Sequence, residues 1–206
     1  MTNINKIIII GGGLAGCEAA YQISKFDINV DLYEMRPKVK TEAHQTKYLA
    51  ELVCSNSFRS DDKEYNAVGV LHEELRIADS LIMKCADQNK VPAGSALAVD
   101  RDNFSKDVNK TIKSIPNINI INQEVKSLNE FKNQLVIVST GPLTSKTLTK
   151  SIKIKTSENS LAFYDAIAPI VYKETINMSV AWKQSRYDKG NGDDYINCSL
   201  SKEEYY

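Results

Sequence analysis

A glycine-rich turn constrains the fold of this chain more than any other feature. The apolar residues 7–10 are typical of a strand buried on both faces, and Gly11-Gly12-Gly13-Leu14-Ala15-Gly16 follows at once. Residues 17–25 have a helical pattern, residues 29–33 alternate like a second strand, and Glu34 ends that strand. This order predicts a βαβ unit that binds a dinucleotide.

Each residue type has an expected role in that unit. Gly11 lets the chain turn sharply, Gly13 lets backbone approach a pyrophosphate because it has no Cβ, and Gly16 lets the helix pack close to the sheet. The start of the helix offers free N–H groups to phosphates. Glu34 is placed to accept hydrogen bonds from ribose hydroxyls, and since it would repel a 2′-phosphate, FAD or NAD fits better than NADP. A purely structural glycine turn is the alternative.

Composition narrows the class of protein. The 206 residues suffice for one large domain or two small ones, and 26 basic residues balance 26 acidic ones, so any nucleic-acid contact requires a local patch. Neither a secretory leader nor a membrane-spanning apolar run is visible, which makes the cytoplasm the expected location. The cysteines have no metal-ligand spacing, so free thiols are expected rather than disulfides or a metal site. They are Cys17, Cys54, Cys85 and Cys198.

Apolar spacing predicts the remaining elements of an α/β domain. Helices are expected at residues 67–85, with Cys85 in the core, and at 101–114 and 144–154. Strands are expected at residues 118–121, 124–128 and 135–139, and residues 88–99 are expected to form a loop.

Two irregular segments are candidates for a binding site. Residues 38–60 lack periodicity, and long irregular segments often carry function, although a plain surface excursion is an equal alternative. Thr140-Gly141-Pro142 closes the strand expected at 135–139. In a dinucleotide domain such a corner often lies against the cofactor, and a routine turn is the alternative.

The character of the sequence changes near residue 156, where aromatic residues begin to cluster. Short strands are expected at residues 161–164, 170–172, 180–183 and 195–198, with a turn at 190–194. We therefore predict a dinucleotide-binding domain over residues 1–155 and the start of a β-rich region over 156–206. Ser201 is expected to cap a helix.

The segment Ala50-Glu51-Leu52-Val53-Cys54-Ser55-Asn56-Ser57 resembles the bacterial FAD- and folate-dependent tRNA (uracil-5-)-methyltransferases. The resemblance covers the whole chain and includes Tyr33-Glu34-Met35-Arg36-Pro37, Ala96-Leu97-Ala98-Val99-Asp100-Arg101, Thr140-Gly141-Pro142-Leu143-Thr144-Ser145 and Ser185-Arg186-Tyr187-Asp188-Lys189-Gly190. It implies a Rossmann-like FAD-binding domain of the glutathione-reductase type and the start of a β-rich insert domain. Because members are about twice as long, this chain is expected to be incomplete, inactive alone and a weak binder of FAD.

The resemblance also implies a reaction. Methylenetetrahydrofolate supplies a one-carbon unit, reduced flavin supplies reducing equivalents, and NADPH or NADH reduces the flavin. The methyl group goes to C5 of a uridine in the T-loop of tRNA, although some relatives are thought to modify ribosomal RNA instead. A non-catalytic flavin-binding remnant and a generic FAD/NAD-dependent oxidoreductase are the alternatives of other classes.

Site residues follow from the same resemblance. Cys54 matches a cysteine near the flavin, and we hypothesise a role in proton transfer or in protecting a reactive flavin adduct; an inert loop cysteine is the alternative. Val125 matches a strand residue that touches adenine through its backbone, and Gly141 matches the second cofactor corner. Cys198 matches a non-catalytic position. The cofactor-binding residues are therefore expected to be Gly11, Gly12, Gly13, Leu14, Ala15, Gly16, Glu34, Val125 and Gly141.

Four cations are candidate contacts to RNA phosphates, with ordinary solvated surface charge as the commoner alternative for each. They are Arg59, Arg101, Arg186 and Lys189.

Overall fold

The computed structural model describes residues 4–157, 171–185 and 193–206. The strands in these residues are β1 (Lys6–Ile10), β2 (Asn29–Glu34), β3 (Ser57–Ser60), β4 (Lys90–Val91), β5 (Ala96–Val99), β6 (Ile118–Asn122), β7 (Val136–Val138), β8 (Ala181–Lys183) and β9 (Ile196–Cys198). The α-helices are α1 (Leu14–Ser24), α2 (Ala67–Ile77), α3 (Leu81–Gln88), α4 (Arg101–Ser114), α5 (Lys146–Thr156) and α6 (Lys202–Tyr205).

A parallel sheet with the strand order β6-β2-β1-β7 forms the centre of the fold. In order along the chain these are the third, second, first and fourth parallel strands, which is the arrangement of a Rossmann-like nucleotide-binding sheet. Lys6 of β1 pairs with Asn29 of β2, and the register continues to Ile10 and Tyr33. The predicted α/β class and the predicted βαβ unit are confirmed.

One face of this sheet is covered by α1, α3 and α4. Ile9 and Leu32 are fully buried there together with Phe104, Val108 and Ile112, which α4 presents at intervals of four residues. These intervals place the three side chains on one side of the helix, so α4 can bury a continuous apolar stripe. The helix predicted at residues 101–114 is confirmed, and Asp100 caps it by accepting the N–H of Asn103.

The helix predicted over residues 67–85 is wrong, because the chain forms two helices there. Asp79 between them has a left-handed backbone (φ +60°), and Ser80 caps α3 by accepting the N–H of Met83. The Ser80 hydroxyl and the Ile82 N–H both donate to the carboxylate of Glu18 on α1. This contact between helices fixes the break. Leu71 of the predicted stripe is half exposed, whereas Cys85 is a core thiol as predicted, and burial raises its pKa to about 11.

Residues 88–99 are not simply a loop. They contain β4 and β5, which join β3 in an antiparallel sheet of order β3-β5-β4. The turn Pro92-Ala93-Gly94-Ser95 produces the loop-like composition, and of the two short flanking strands β5 pairs with β3, more than thirty residues earlier, while β4 pairs only with β5. Such long-range pairing leaves little local signal.

The strands predicted after β6 are also corrected. Residues 124–127 are not a strand, and a short 3-10 helix (Leu128–Phe131) follows, capped by Ser127. The buried strand predicted at 135–139 is the shorter β7 at the edge of the sheet, where Ile137 and Val138 are about two-fifths exposed. Helix α5 begins after Ser145, whose side chain accepts the N–H of Leu148.

Part of the predicted β-rich region lies within the described residues. Strands β8 and β9 pair antiparallel, which confirms the strands expected at 180–183 and 195–198, and Ser201 caps α6. The strand expected at 161–164, Ile170 of the strand at 170–172, and residues 190–192 of the expected turn lie outside the described residues. Val171 and Tyr172 are described and do not form a strand, so that prediction is wrong over these two residues. The domain boundary at residues 155 and 156 stays a prediction.

Among the described residues, no helix is both long enough and apolar enough to cross a lipid bilayer. No disulfide joins the cysteines, of which Cys17 and Cys85 are buried and Cys198 is exposed.

Candidate cofactor site

A cavity of about 280 Å³ lies at the carboxyl ends of the parallel strands. This edge of a doubly wound sheet is where such folds bind nucleotides, because the glycine turn and the start of α1 meet there. Every residue expected to bind the cofactor lines this cavity except Gly16. The lining members of that set are Gly11, Gly12, Gly13, Leu14, Ala15, Glu34, Val125 and Gly141.

Gly11, Gly12 and Gly16 of the turn are each required to be glycine, for different structural reasons. Gly11 has φ +106°, which other residues rarely adopt. A Cβ on Gly12 would lie 2.6 Å from Leu49 Cδ2 and 2.8 Å from Glu34 Oε2, and a Cβ on Gly16 would overlap the carbonyl of Gly11. These contacts are steric requirements of the fold itself.

Gly13 differs from the others, since apart from its chain neighbours no atom of the described residues lies within 4 Å of where its Cβ would be. Its φ of −77° is also one that any residue can adopt, so the fold does not require glycine at this position. Gly13 is the N-cap of α1, no side chain caps that helix, and Leu14 and Ala15 of its first turn line the cavity. The space above Gly13 and the uncapped helix start together fit a pyrophosphate.

Glu34 lies in the wall of the cavity and is almost completely buried. Its Oε2 accepts the N–H of Gly12 at 3.0 Å, while Oε1 accepts the backbone N–H of Arg36 at 3.0 Å and its Nε at 2.8 Å. Burial alone would raise the pKa of Glu34, but the hydrogen bonds and positive charge of Arg36 outweigh it and hold the pKa below its ordinary value. Glu34 is therefore ionised, and Oε2 keeps a lone pair for a ribose hydroxyl.

Arg36 joins Glu34 to a second carboxylate. Its Nη1 donates to Oε2 of Glu51 at 2.8 Å, and its side chain is 2% exposed. Glu51 also accepts the backbone N–H groups of Gln45 and Thr46 at 2.7 Å and 3.1 Å. This buried network therefore fastens residues 44–51 to the end of β2. The sequence prediction assigned no role to Arg36 or Glu51, and the only local signal is the spacing of two residues between Glu34 and Arg36.

The irregular segment at residues 38–60 is packed against the site. The N–H of Ala50 donates to the carbonyl of Gly12 at 2.8 Å, Leu49 and Ala50 are buried, and His44 and Val53 line the cavity. Burial, followed by the positive charge of Arg36, lowers the pKa of His44. The surface-excursion alternative does not fit these contacts, and His44 is a cavity residue that the sequence prediction missed.

The second corner lies at the same cavity. Gly141 has φ +58°, and nothing lies within 4 Å of where its Cβ would be. The hydroxyl of Ser139 donates to the carbonyls of Ile10 and Gly11, which joins the end of β7 to the glycine turn. Val125, 3% exposed, lines the cavity as well. Both predicted cofactor corners therefore border one space.

Cys54 lies beside this space and does not form its wall. It follows Val53, which does line the cavity, and it is partly exposed. Arg101 lies next to it, with Nη2 donating to the Cys54 carbonyl at 3.5 Å. Of the other expected RNA contacts, Arg59 is exposed and lines a different cavity, while Arg186 and Lys189 lie outside the described residues. The described residues contain no group of His, Cys, Asp and Glu suited to a metal ion.

Comparison with known proteins gives a consistent family. Residues 6–206 match the family described as Glucose inhibited division protein A. A protein of Bartonella henselae named methylenetetrahydrofolate--tRNA-(uracil-5-)-methyltransferase TrmFO is 59% identical over 203 residues, which is 97% of this chain and 43% of that protein. Proteins of the same name from Paramagnetospirillum magneticum and Brucella anthropi are 58% and 53% identical, covering 96% and 99% of this chain. The chain spans 44% of the length of each of these two relatives.

Proposed function

The chain belongs to the Glucose inhibited division protein A family, and on that premise we propose that residues 6–206 supply the FAD site of an RNA methyltransferase. The open space above Gly13, beside the ionised carboxylate of Glu34, is the observation that carries this proposal. The relatives' names supply the reaction, which is transfer of a one-carbon unit from methylenetetrahydrofolate to C5 of uracil in tRNA. Since the chain covers less than half of each relative, we propose the full reaction for a protein of the relatives' length.

We assign each part of FAD to particular residues of the cavity. The N–H groups at the start of α1 bind the pyrophosphate of FAD, Oε2 of Glu34 accepts a ribose hydroxyl, and the backbone at Val125 contacts adenine. Gly141 borders the remainder of the cofactor. When bound and reduced, FAD supplies the reducing equivalents that convert the transferred carbon to a methyl group, and we propose NADPH or NADH as the electron donor.

The chemistry of uracil explains why a thiol beside the cavity matters. C5 of uracil is a poor nucleophile until a nucleophile adds at C6, which makes C5 enolate-like and able to attack a one-carbon electrophile. A base must then remove the C5 proton. We propose that Cys54 takes part in this proton transfer, since Val53 places it one residue from the cavity wall. The protein acts in the cytoplasm in this proposal, on tRNA or ribosomal RNA.

A chimaera tests the proposal. Residues 6–206 replace the matched segment of the Bartonella henselae protein, to which the chain is 59% identical, and tritium release is measured from RNA labelled at C5 of uridine. We expect release that requires methylenetetrahydrofolate together with NADPH or NADH, and no release from the same chimaera carrying Gly13→Val. Parallel tRNA and ribosomal RNA transcripts identify the target. Oxidation of NADH without tritium release would instead identify a generic oxidoreductase.

A further inference from the structure

A second cavity, larger than the cofactor cavity, is lined by other parts of the chain. It has a volume of about 660 Å³ and is lined by β3, by the loop that leads into α2, and by the turn between β4 and β5. Tyr195, which precedes β9, completes the wall. We call this space the Arg59 cavity. No described residue lines both this cavity and the cofactor cavity.

Among the described residues that line the Arg59 cavity, two have charged side chains. Arg59 is exposed, and within the described residues its guanidinium has no hydrogen bond or ion pair. Its backbone adopts φ +72°, which is uncommon outside glycine, and the hydroxyl of Ser57 accepts its N–H at 3.1 Å. Asp62 uses Oδ1 to accept the N–H groups of Glu64 and Tyr65, both at 3.1 Å. The carboxylate is thus engaged in its own turn, while the guanidinium is available to an anion.

Two aromatic residues line the same cavity as Arg59. Tyr65 is 90% exposed, so the face of its ring is accessible to a base. The Tyr195 hydroxyl donates to the carbonyl of Ala93 at 3.0 Å, so its ring is held against the turn between β4 and β5. A guanidinium and an exposed aromatic ring that line one cavity form the combination that binds a nucleotide of a single strand, with the phosphate on the cation and the base on the ring.

The two cavities are connected by a short segment of chain. Val53 lines the cofactor cavity and Ser57 lines the Arg59 cavity, so three residues lie between them, and the two Cα atoms are at most about 14 Å apart along extended chain. Cys54 lies in this segment, with Arg101 donating to its carbonyl. A single RNA strand bound in the Arg59 cavity therefore reaches the cofactor cavity within a few nucleotides. An enzyme that modifies a nucleobase has to bind the neighbouring nucleotides, because the target base must leave its stack to reach the reacting atoms.

We propose that the Arg59 cavity binds a nucleotide adjacent to the target uridine in the RNA substrate. The phosphate of that nucleotide binds Arg59, and its base stacks on Tyr65. The assignment rests on the proposed function, whose RNA substrate it places on one surface of the chain.

Fluorescence anisotropy tests the assignment, using the 206-residue chain and a labelled stem-loop RNA with a uridine-containing loop. Tyr65→Ala is expected to weaken binding by about fivefold or more, whereas Tyr65→Phe keeps the stacking ring and the affinity. Arg59→Met is expected to reduce the slope of log affinity against log salt by about 0.7, the value for one contact to a single-stranded phosphate. The matched control is Lys110→Met, which removes an exposed cation from α4.

The possible results separate this inference from the proposed function. Unchanged FAD binding in both cavity variants, together with weaker RNA binding, supports the assignment. Equal effects of Arg59→Met and Lys110→Met, or no RNA binding by the unaltered chain, would overturn it while leaving the FAD site intact. Failure of the unaltered chain to bind FAD would instead count against the proposed function.

Discussion

Nε of Arg36 lies 2.8 Å from Oε1 of Glu34, and both side chains are more than nine-tenths buried. This pair links the predicted nucleotide carboxylate to the irregular segment that borders the cavity, because Arg36 also binds Glu51. Each charge in the network is expensive to bury alone and is tolerated because the others are present. The position of Glu34 therefore depends on Arg36 as well as on the end of β2.

Arg36→Met tests that dependence. The substitution leaves two carboxylates buried without their cation, so the free energy of unfolding is expected to fall by about 3–5 kcal/mol. Urea denaturation followed by circular dichroism measures the change. Lys63→Met is the control, since it removes one partner of the exposed pair between Lys63 and Glu73 and should shift the midpoint little. Equal shifts for the two variants would mean that the buried network does not stabilise the fold.

Stability is also expected to depend on pH through His44. Its folded-state pKa lies below the ordinary value of 6.5, so the unfolded chain binds a proton more readily. The contribution of neutral His44 to the free energy of unfolding is therefore complete above pH 6.5 and is lost as the pH falls through the pKa of the folded state. His44→Gln should therefore flatten the dependence of the urea midpoint on pH in this range. A variant with the same dependence as the unaltered chain would contradict the assignment to His44.

Glu34 also makes the stability fall as the pH falls, but in a lower pH range than His44. Its pKa is lowered from 4.5, so its stabilisation is complete above that value and disappears as the pH falls through the folded pKa. Glu34→Gln is expected to reduce the loss of stability below pH 4.5 and to change the His44 range only slightly, because the charge of Glu34 acts more weakly on the pKa of His44 than burial, Arg36 or Glu51. Urea midpoints across both ranges, compared with those of His44→Gln, distinguish the two groups. If Glu34→Gln lost stability below pH 4.5 as much as the unaltered chain does, the Arg36 network would not depress the pKa of Glu34.

Gly13→Ala and Gly16→Ala form a matched pair in the glycine turn. A methyl group on Gly13 meets no described atom within 4 Å apart from its chain neighbours, so the only expected cost is that of alanine at an N-cap, about 0.5 kcal/mol, whereas a methyl group on Gly16 overlaps the Gly11 carbonyl. We expect Gly16→Ala to lower the free energy of unfolding by about 1–3 kcal/mol. Thermal unfolding of both variants provides the measurement. Comparable destabilisation by Gly13→Ala would mean that the space above Gly13 is required for packing.

Cys54→Ala tests the proposed proton transfer. In the chimaera with the Bartonella henselae protein, tritium release is expected to fall by about 100-fold or more. Cys198→Ala is the control, because Cys198 is exposed on β9 and was predicted to be non-catalytic. FAD absorption is recorded for both variants to confirm that the cofactor site is intact. Full activity of Cys54→Ala would leave the inert loop cysteine as the explanation.

The sequence predicted those parts of the fold that local order determines. The unit from β1 to β2 follows from a continuous apolar run, a glycine turn and a helix, and its residues are in contact with near neighbours in the chain. Helix α4 follows from Phe104, Val108 and Ile112. The break before α3 could not be predicted, because it depends on Ser80 and Ile82 donating to Glu18, more than sixty residues earlier.

The candidate site likewise contains features that local sequence predicts and features that depend on long-range contacts. The glycine turn and Glu34 are local motifs, and the structure places them at one cavity with Val125 and Gly141. The contacts of Arg36 with Glu51, and of Glu51 with the Gln45 and Thr46 amides, arise only when the irregular segment folds back on β2. No periodic pattern encodes such contacts. The Arg59 cavity was missed for a related reason, since β3 and the turn after β4 come together only in the folded sheet.

Equilibrium dialysis of the 206-residue chain against FAD tests the central claim most directly. Bound flavin is read from the visible absorption spectrum, and Gly13→Ala serves as the matched variant because it should fold normally. We predict saturable binding of FAD to the unaltered chain and a loss of affinity of at least about tenfold in the variant, equivalent to about 1.4 kcal/mol. No binding by the unaltered chain, or equal binding by both proteins, would contradict the claim that the glycine turn holds the cofactor.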